Sequence, residues 1–317
     1  MSTPVAYLNG RFIPFADAGL PLHDAGFVSG ATVVDNARTY NRKLFRWADH
    51  LARFRRDCAA CYVPLAATDA GLTTVAEELV ARNGALLPPD GELQVVTFAT
   101  PGPLGFYVGD PTNGPPTLGM ATYPVPARYA RFAEEGVVLA VAGSQGSESW
   151  KQLLPPRVKH RSRMHWYVAE RAINDPGSPC HRPGAVPVVV TEHGAGDTPV
   201  GGVLVVAGDR VYFPREGTVQ ESITLKVVAE LCGRLGIRTR SLPQVPLEHF
   251  AVPDPGKGEA PLARRATELI LCGTGFGLAG VREFALLTHL SRTYPVPGPV
   301  LARLRAAWAE ELGERPA

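Results

Sequence analysis

The stretch Val158-Lys159-His160-Arg161-Ser162-Arg163-Met164-His165-Trp166 places one lysine among cationic and titratable neighbours, directly after a proline-rich turn. The spacing of apolar residues predicts a helix over residues 162–174, so Lys159 lies just before a helix N-terminus. Cationic neighbours and the positive end of a helix dipole both favour a neutral amine, which is nucleophilic. A solvated basic patch has the same composition, so both interpretations stand at this point.

Predicted strands lie on both sides of this lysine. An apolar run at residues 136–142 precedes it, and three more follow at residues 185–191, 203–206 and 210–213. These runs predict an antiparallel sheet or barrel without repeated βαβ units. Residues 123–132 contain two prolines and lose the apolar pattern. We therefore expect a connection between domains there, with a boundary near residue 130.

Two hairpins are predicted near the start of the chain. Asn9-Gly10 stands between two apolar runs, a pattern typical of a type I′ turn, in which both central residues need positive φ. Residues 26–40 predict a strand, which turns at Asn41-Arg42 into a second hairpin. Hairpins followed by helices make this half of the chain α+β.

One predicted helix carries polar residues beside its apolar face. Over residues 47–62 the apolar side chains recur at helical spacing. His50, Arg53 and Asp57 form an adjoining polar stripe. Arg53 is therefore expected beside a buried face.

Composition sets the class of protein. The chain has 317 residues, 45% of them hydrophobic and 20% charged, which is typical of a globular protein with room for two domains. Its 32 basic and 30 acidic residues give a net charge of +2, so no bulk field draws it to nucleic acid or to an anionic membrane. No apolar run approaches the roughly 20 residues of a membrane span. The start shows no signal-peptide pattern, so a cytoplasmic protein is expected.

The five cysteines are odd in number and widely scattered, which does not suit a disulfide framework. Cys58-Ala-Ala-Cys61 is the one close pair. It allows a redox pair or half of a zinc site, but no second ligand pair accompanies it and the spacing is also that of one helix face. We therefore expect structural cysteines and no bound metal.

Two stretches have the chemistry of phosphate binding. Ser222 and Thr224 stand at the start of a predicted amphipathic helix, whose first N–H groups and positive dipole favour an anion. A plain serine N-cap explains the same pattern. Gly273-Thr-Gly-Phe-Gly-Leu-Ala-Gly280 follows a predicted strand and contains G-x-G-x-x-G. Because no βαβ repeat is predicted, a dinucleotide site is disfavoured, which leaves a backbone cup for one phosphate or a glycine-rich bend.

The order of these motifs resembles that of a known family. Along the chain follow Asn9-Gly10, Asp24-x-Gly26, Arg38, His50-Leu-Ala-Arg53, Lys159 before a helix, Glu192 at a strand end, Ser222-Ile-Thr224 and Gly273-Thr274. Over about residues 5–285 this order is similar to the class IV aminotransferases, the fold-type IV pyridoxal phosphate enzymes. That family includes branched-chain and D-amino acid aminotransferases, (R)-selective amine transaminases and aminodeoxychorismate lyases.

The resemblance implies an α+β fold of two domains. Residues 1–130 would form a smaller N-terminal α/β sandwich, and residues 131–317 a larger C-terminal pseudo-barrel with helices. The cofactor, pyridoxal 5′-phosphate, would lie at the domain interface, and two subunits would form a homodimer. The reaction would take an amino acid or amine as donor and a 2-oxo acid as acceptor.

The resemblance also implies roles for particular residues. Lys159 would form the internal aldimine, a Schiff base with pyridoxal phosphate, and Glu192 would pair with the pyridine nitrogen so that the ring acts as an electron sink. The cofactor phosphate would be held by a set of backbone and side-chain groups: Arg53, Ser222, Ile223, Thr224, Gly273 and Thr274. The substrate carboxylate would bind an arginine, with Arg38 as first choice and Arg161 and Arg163 as alternatives.

The chain departs from the family at two positions. Asp197 stands where the family has an asparagine, and an ionised aspartate accepts hydrogen bonds but does not donate them. Asp197 is also a rival partner for the ring nitrogen. Met164 stands where branched-chain enzymes have a tyrosine near the cofactor.

We predict an aminotransferase that works through Lys159. One alternative is an aminodeoxychorismate lyase, because Lys159-His160 followed by Arg163 is similar to a Lys-His-x-x-Arg pattern of that branch. The other is a non-catalytic homologue that binds pyridoxal phosphate.

Overall fold

The computed structural model describes residues 3–144, 154–190, 197–242, 248–251, 262 and 265–313. The chain divides into two compact units. The first unit contains Met1–Pro126 and Val158–Arg163, and the second contains Ala127–Arg157 and Met164–Ala317. Lys159 therefore groups with the N-terminal part of the chain. The boundary near residue 130 between two domains stays a prediction.

The first unit is built on a six-stranded antiparallel sheet. Its strands are β1 Val5–Leu8, β2 Arg11–Pro14, β3 Val33–Tyr40, β4 Lys43–Leu44, β5 Leu93–Thr100 and β6 Thr117–Pro124. They follow the order β2-β1-β6-β5-β3-β4. Both predicted hairpins are confirmed: φ is +47° and +90° at Asn9 and Gly10, and +49° and +60° at Asn41 and Arg42.

Two helices, α2 Trp47–Ala60 and α3 Asp69–Gly84, cover one face of this sheet. The short helix α1 Ala25–Val28 lies toward the other face, where its N-cap Asp24 accepts a hydrogen bond from the hydroxyl of Thr117 at 3.0 Å. Leu51 of α2 and Leu79 of α3 pack with Val95 in one buried cluster, and Phe54 packs with Val33 in another. The helix predicted at residues 47–62 is confirmed.

The strand predicted at residues 26–40 begins only at Val33. Asp24 is the reason, because its Oδ1 accepts a hydrogen bond from the backbone N–H of Gly26 at 2.7 Å and so caps the short helix α1. The local cap outweighs the extended pattern of the residues that follow.

The second unit is built on an eight-stranded sheet. Its strands are β7 Val137–Ser144, β8 Val186–Val190, β9 Gly202–Ala207, β10 Arg210–Phe213, β11 Arg238–Ser241, β12 Ala266–Gly273, β13 Gly277–Leu287 and β14 Leu290–Thr293. They follow the order β11-β10-β9-β12-β13-β7-β8, and β14 pairs with β13. The accompanying helices are α4 Arg128–Glu134, α5 Met164–Asn174, α6 Ile223–Arg234, α7 Glu248–Ala251 and α8 Pro299–Glu311.

This sheet is mixed, so the antiparallel prediction is wrong. β7 and β8 pair in parallel and are joined through α5, and β10 and β11 pair in parallel and are joined through α6. Parallel neighbouring strands need a crossover connection, here a helix, between them. The sequence predicted both helices, but the spacing of its apolar residues did not indicate that these helices make the strands parallel. This half was also expected to have no repeated βαβ units, yet β7-α5-β8 and β10-α6-β11 are two such units. Closure of the sheet into a pseudo-barrel stays a prediction.

Residues 123–132, predicted as a connection, contain the end of β6 and most of α4. Aromatic packing stabilises α4, since Tyr129 and Phe132 lie 5.4 and 5.3 Å from the ring of Phe276.

None of the helices in the described ranges combines the length and apolar character needed to cross a membrane.

A buried glutamate caps α8. Glu268 on β12 is 2% exposed, and its carboxylate accepts hydrogen bonds from the backbone N–H groups of Val300 and Leu301 at 2.8 and 2.9 Å. We expect Glu268→Ala to lower the free energy of unfolding by about 2–4 kcal/mol, because both N–H groups lose a charged acceptor. Urea titration measures this. Glu310→Ala, on the exposed side of α8, is the control, and equal stability of the two variants would contradict the capping role.

Candidate functional site

The segment carrying Lys159 lies along β3 in the first unit. The backbone N–H of Val34 donates to the carbonyl oxygen of Lys159 at 3.0 Å, and the N–H of Arg161 donates to Thr32 at 2.9 Å. His160 forms a β-bridge with Val33. The backbone around Lys159 is therefore fixed as an extra short strand beside β3.

Two side-chain contacts hold the same segment. The carboxylate of Asp57, in the last turn of α2, accepts the backbone N–H of Lys159 at 2.9 Å. The hydroxyl of Ser162 donates to the carbonyl oxygen of Gly30 at 2.7 Å. α5 begins at Met164, so the prediction that Lys159 precedes a helix is confirmed. Both peptide groups of Lys159 are thus bonded within the first unit.

A buried cluster of charge lies on the face of α2 that meets β3. His50 and Arg53 are 2% and 3% exposed. The Nε–H of Arg53 donates to Oδ2 of Asp35 at 2.8 Å, and Nδ1 of His50 lies 2.6 Å from Oδ1 of the same carboxylate. Asp35 therefore fixes both side chains, and the expected burial of Arg53 is observed.

Electrostatics define the charges in this cluster. Burial raises the pKa of Asp35, but the neighbouring Arg53 and His50 outweigh it and hold that pKa well below its usual range. Burial lowers the pKa of His50, and the attraction of Asp35 offsets this only in part. His50 is therefore neutral near pH 7, so its Nδ1–H is the donor to Asp35. The cluster consists of one cation, one anion and one neutral imidazole.

The neutral state of His50 makes stability depend on pH. Its folded pKa is below the ordinary value of about 6.5, so the unfolded chain binds the proton first and stability falls as the pH drops below that value. We expect His50→Gln to reduce this loss between pH 7 and 5. Urea titrations at several pH values measure it. Part of the loss remains in the variant, because burial also lowers the pKa of His160. The exposed His289→Gln is the control, and an unchanged slope in His50→Gln would contradict the assignment.

The three arginines predicted to bind a substrate carboxylate all lie in the first unit. Arg38 is half-buried on β3, where its guanidinium stacks 3.9 Å from the ring centre of Tyr40 and its Nε–H donates to the carbonyl of Thr39 at 3.1 Å. Because strand residues alternate, Arg38 and Asp35 point to opposite faces of the sheet. Arg161 is exposed and Arg163 is half-buried.

The first of the two stretches predicted to bind phosphate forms the capped N-terminus of helix α6 in the second unit. Ser222 is the N-cap of α6, with its hydroxyl accepting the N–H of Leu225 at 3.3 Å. Ile223 and Thr224 are buried in the first turn. The serine N-cap is thus present, and it accompanies a helix N-terminus whose dipole favours an anion.

Asp197 bonds the loop in front of this helix. Its carboxylate accepts the backbone N–H of Thr198 at 2.9 Å and that of Gln220 at 3.3 Å. Both partners are donors, as an ionised aspartate requires. Asp197 therefore ties the loop after residue 196 to the residues that lead into α6.

The second predicted phosphate stretch is a hairpin turn. β12 ends at Gly273 and β13 begins at Gly277, and the two strands are antiparallel. Thr274 lies half-buried in the turn between them. A Cβ at Gly273 would lie 2.3 Å from the carbonyl oxygen of Val200, so no larger residue fits there. A strand follows these glycines where a dinucleotide site needs a helix, so the dinucleotide interpretation fails for this reason.

Glu192, the predicted partner of the ring nitrogen, lies outside the described residues. Asp35 was missed, although an acid that follows two valines on a strand, beside a helix with His50 and Arg53, is a signal for a buried ion pair. The Cys58 thiol has its pKa raised to about 12 by burial, which agrees with a structural cysteine.

Known proteins share this sequence pattern and architecture. A sequence model of the family described as "Amino-transferase class IV" matches residues 32–284. The D-alanine aminotransferase of Staphylococcus haemolyticus is 32% identical over 77 residues, which make up 24% of this chain and 27% of that protein. The match therefore spans about a quarter of that curated relative.

Two solved structures have the same fold over nearly the whole chain. The branched-chain amino acid aminotransferase of Escherichia coli has a TM-score of 0.77 at 16% identity, covering 99% of this chain and 96% of that chain. The 4-amino-4-deoxychorismate lyase of Pseudomonas aeruginosa has a TM-score of 0.71 at 21% identity, covering 97% and 99%. The predicted α+β fold class is thereby confirmed.

Proposed function

The chain belongs to the class IV aminotransferase family, and from this premise we propose that it is a pyridoxal phosphate-dependent aminotransferase acting between an amino acid or amine and a 2-oxo acid. One observation carries the proposal. Helix α2 holds the backbone of Lys159 through Asp57 and, one turn earlier, buries the guanidinium of Arg53. The backbone of the proposed reactive lysine and the guanidinium proposed to bind phosphate are thus both held by one helix.

The donor set suits pyridoxal 5′-phosphate, which when bound supplies an electron sink for the bond changes at the substrate Cα. In the first unit, the guanidinium of Arg53 matches a phosphate and the amine of Lys159 matches an aldehyde. In the second unit, the proposed phosphate donors are Ser222, Ile223 and Thr224 at the start of α6 and Gly273 and Thr274 at the turn after β12. Glu192 is the proposed partner of the pyridine nitrogen.

Lys159 and the arginines have separate tasks in this proposal. Nζ of Lys159 takes the proton from the substrate Cα as a general base and returns a proton as a general acid. Arg38 is the first candidate for the substrate carboxylate, because a guanidinium binds a carboxylate through two parallel hydrogen bonds. Arg161 and Arg163 are the alternatives, and their side chains belong to the same short segment as Lys159.

A half-reaction tests the proposal. The protein loaded with pyridoxal phosphate is mixed with D-alanine, L-leucine or another amino donor, and the absorption spectrum is followed. Transamination converts the bound cofactor to its pyridoxamine form and releases a 2-oxo acid, and adding 2-oxoglutarate then restores the first spectrum. A visible band that persists with every donor would favour the non-catalytic homologue instead.

The lyase is the second candidate function. It is favoured by His160 beside Lys159 with Arg163 following. The imidazole of His160 is half-buried, and its pKa is lowered by burial and then by the neighbouring Arg163. Release of pyruvate from aminodeoxychorismate, without conversion of the cofactor to the pyridoxamine form, would favour the lyase over the aminotransferase.

A homodimer is part of the proposal, supported by exposed apolar residues in the first unit. The segment around His23 and the segment around Leu104 meet there, since the N–H of Leu104 donates to the carbonyl of His23 at 2.8 Å. Together they expose large apolar side chains: Leu22, Phe27, Phe106, Tyr107 and Val108. An apolar patch of this kind marks an interaction surface. Sedimentation equilibrium should give twice the chain mass, whereas a monomer at micromolar concentration would contradict the dimer.

We propose that the protein resides in the cytoplasm. The five cysteines are free thiols, and free thiols persist where the environment is reducing. Non-reducing electrophoresis of protein taken from its native cells would check this.

A further inference from the structure

We propose that Asp57 is a positioning residue that sets the place of Lys159 relative to Arg53, a role that rests on the proposed function. Asp57 lies in the last turn of α2 and is 1% exposed. Its Oδ2 accepts the backbone N–H of Lys159 at 2.9 Å, across 102 residues of sequence. A buried acid is thus bonded to the peptide group of the proposed reactive lysine.

The carboxylate of Asp57 is held from its other side. The guanidinium of Arg56 donates to Oδ1 from Nη2 at 2.9 Å and from Nε at 3.2 Å. Arg56 therefore balances the negative charge and fixes the direction of the carboxylate. Oδ2 is left pointing at one backbone donor, that of Lys159.

Because of helix geometry, this contact sets the distance between Arg53 and the peptide group of Lys159. Arg53 and Asp57 are four residues apart, so they lie on one face of α2 with about 6 Å of rise between them. Arg53 is fixed by Asp35 at 2.8 Å, and Lys159 is fixed by Asp57 at 2.9 Å. The helix thereby sets the distance between the proposed phosphate contact and the peptide that carries the reactive amine. A misplacement of about 1 Å at such a group can cost about 10²-fold in rate.

Three substitutions separate the hydrogen bond from the charge. Asp57→Asn keeps an oxygen acceptor and removes the charge, whereas Asp57→Ala removes both. Asp57→Leu also lacks an acceptor but fills the space, and it replaces the alanine variant if that variant does not fold. Asp49→Ala, in the same helix and paired with Arg46, is the matched control.

The probe is pyridoxal 5′-phosphate added to the full-length protein freed of cofactor. The rate at which it becomes attached to Lys159 is followed by absorbance. We expect this rate to fall by about 10- to 100-fold in Asp57→Ala and to stay close to wild type in Asp57→Asn and Asp49→Ala. Affinity for pyridoxamine 5′-phosphate, which lacks the aldehyde, should be unchanged in all of them. Thermal unfolding confirms that each variant is folded.

Each other outcome overturns the inference. Equal losses in Asp57→Asn and Asp57→Ala would assign the effect to the charge. A parallel loss of affinity for pyridoxamine 5′-phosphate would show general damage to the site. No loss in the folded alanine or leucine variant would show that the contact is not needed. Failure of the proposed function is recognised separately, because wild-type protein would then show no attachment that Lys159→Ala abolishes.

Discussion

Replacement of Lys159 by alanine should lower the rate of amino transfer by about 10³-fold or more, because the variant loses the group that we propose moves the proton at the substrate Cα. The change should leave the fold intact, since the contacts of Lys159 described above are made by its backbone. Single-turnover reaction with an amino donor measures the effect. Circular dichroism and thermal unfolding establish that the variant is folded.

A matched lysine separates this effect from a general loss of charge. Lys43 is exposed on β4, so Lys43→Ala should react at the wild-type rate. A Lys159→Ala protein that transferred amino groups at a rate near wild type would rule out Lys159 as the proton carrier. The mechanism would then need another base.

Replacement of Arg53 by glutamine should weaken the binding of pyridoxal 5′-phosphate by about 10- to 100-fold, which corresponds to about 1.5–3 kcal/mol for a charge-assisted hydrogen bond. Pyridoxal, which lacks the phosphate, should bind the variant and the wild type with similar affinity. The comparison is needed because Asp35 loses its buried cation in the variant, so stability also falls. Fluorescence titration with both compounds measures the two affinities.

Arg55→Gln is the control for Arg53, because Arg55 lies in the same helix and pairs with Asp69 at the surface. It should bind both compounds as the wild type does. An equal loss of affinity for pyridoxal and for its phosphate in Arg53→Gln would mean that Arg53 stabilises the unit without contacting phosphate.

Local chemistry made several elements predictable from the sequence. The Asn9-Gly10 hairpin depends on two residues that tolerate positive φ, and both adopt it. Helix α2 depends on apolar spacing within one segment, and α6 begins at its predicted serine cap. These features need no knowledge of distant residues.

Other elements depend on partners far along the chain. β11 reads Arg-Thr-Arg-Ser and is exposed along its length, so no apolar pattern marks it, and it becomes a strand by pairing with β10. The parallel direction of that pair, and of β7 with β8, follows from the crossover helices. Strand direction is a tertiary property that the spacing of apolar residues does not encode.

In the candidate site, too, some features follow from local spacing and others depend on distant partners. The polar stripe of α2 was visible in the sequence because three residues share a helix face. The partners were not visible, since Asp35 lies 18 residues from Arg53 and Asp57 lies 102 residues from Lys159. A charged residue on a buried face indicates that a partner exists, but only packing identifies it.

Above all, we propose that Lys159 carries the cofactor. To test it, the protein loaded with pyridoxal 5′-phosphate is treated with borohydride, digested, and searched by mass spectrometry for the pyridoxyl group. We predict the group on Lys159, in the peptide that contains His160 and Arg161. A group found on Lys43 or Lys226 in place of Lys159, or no labelled lysine in protein that has bound the cofactor, would contradict the account.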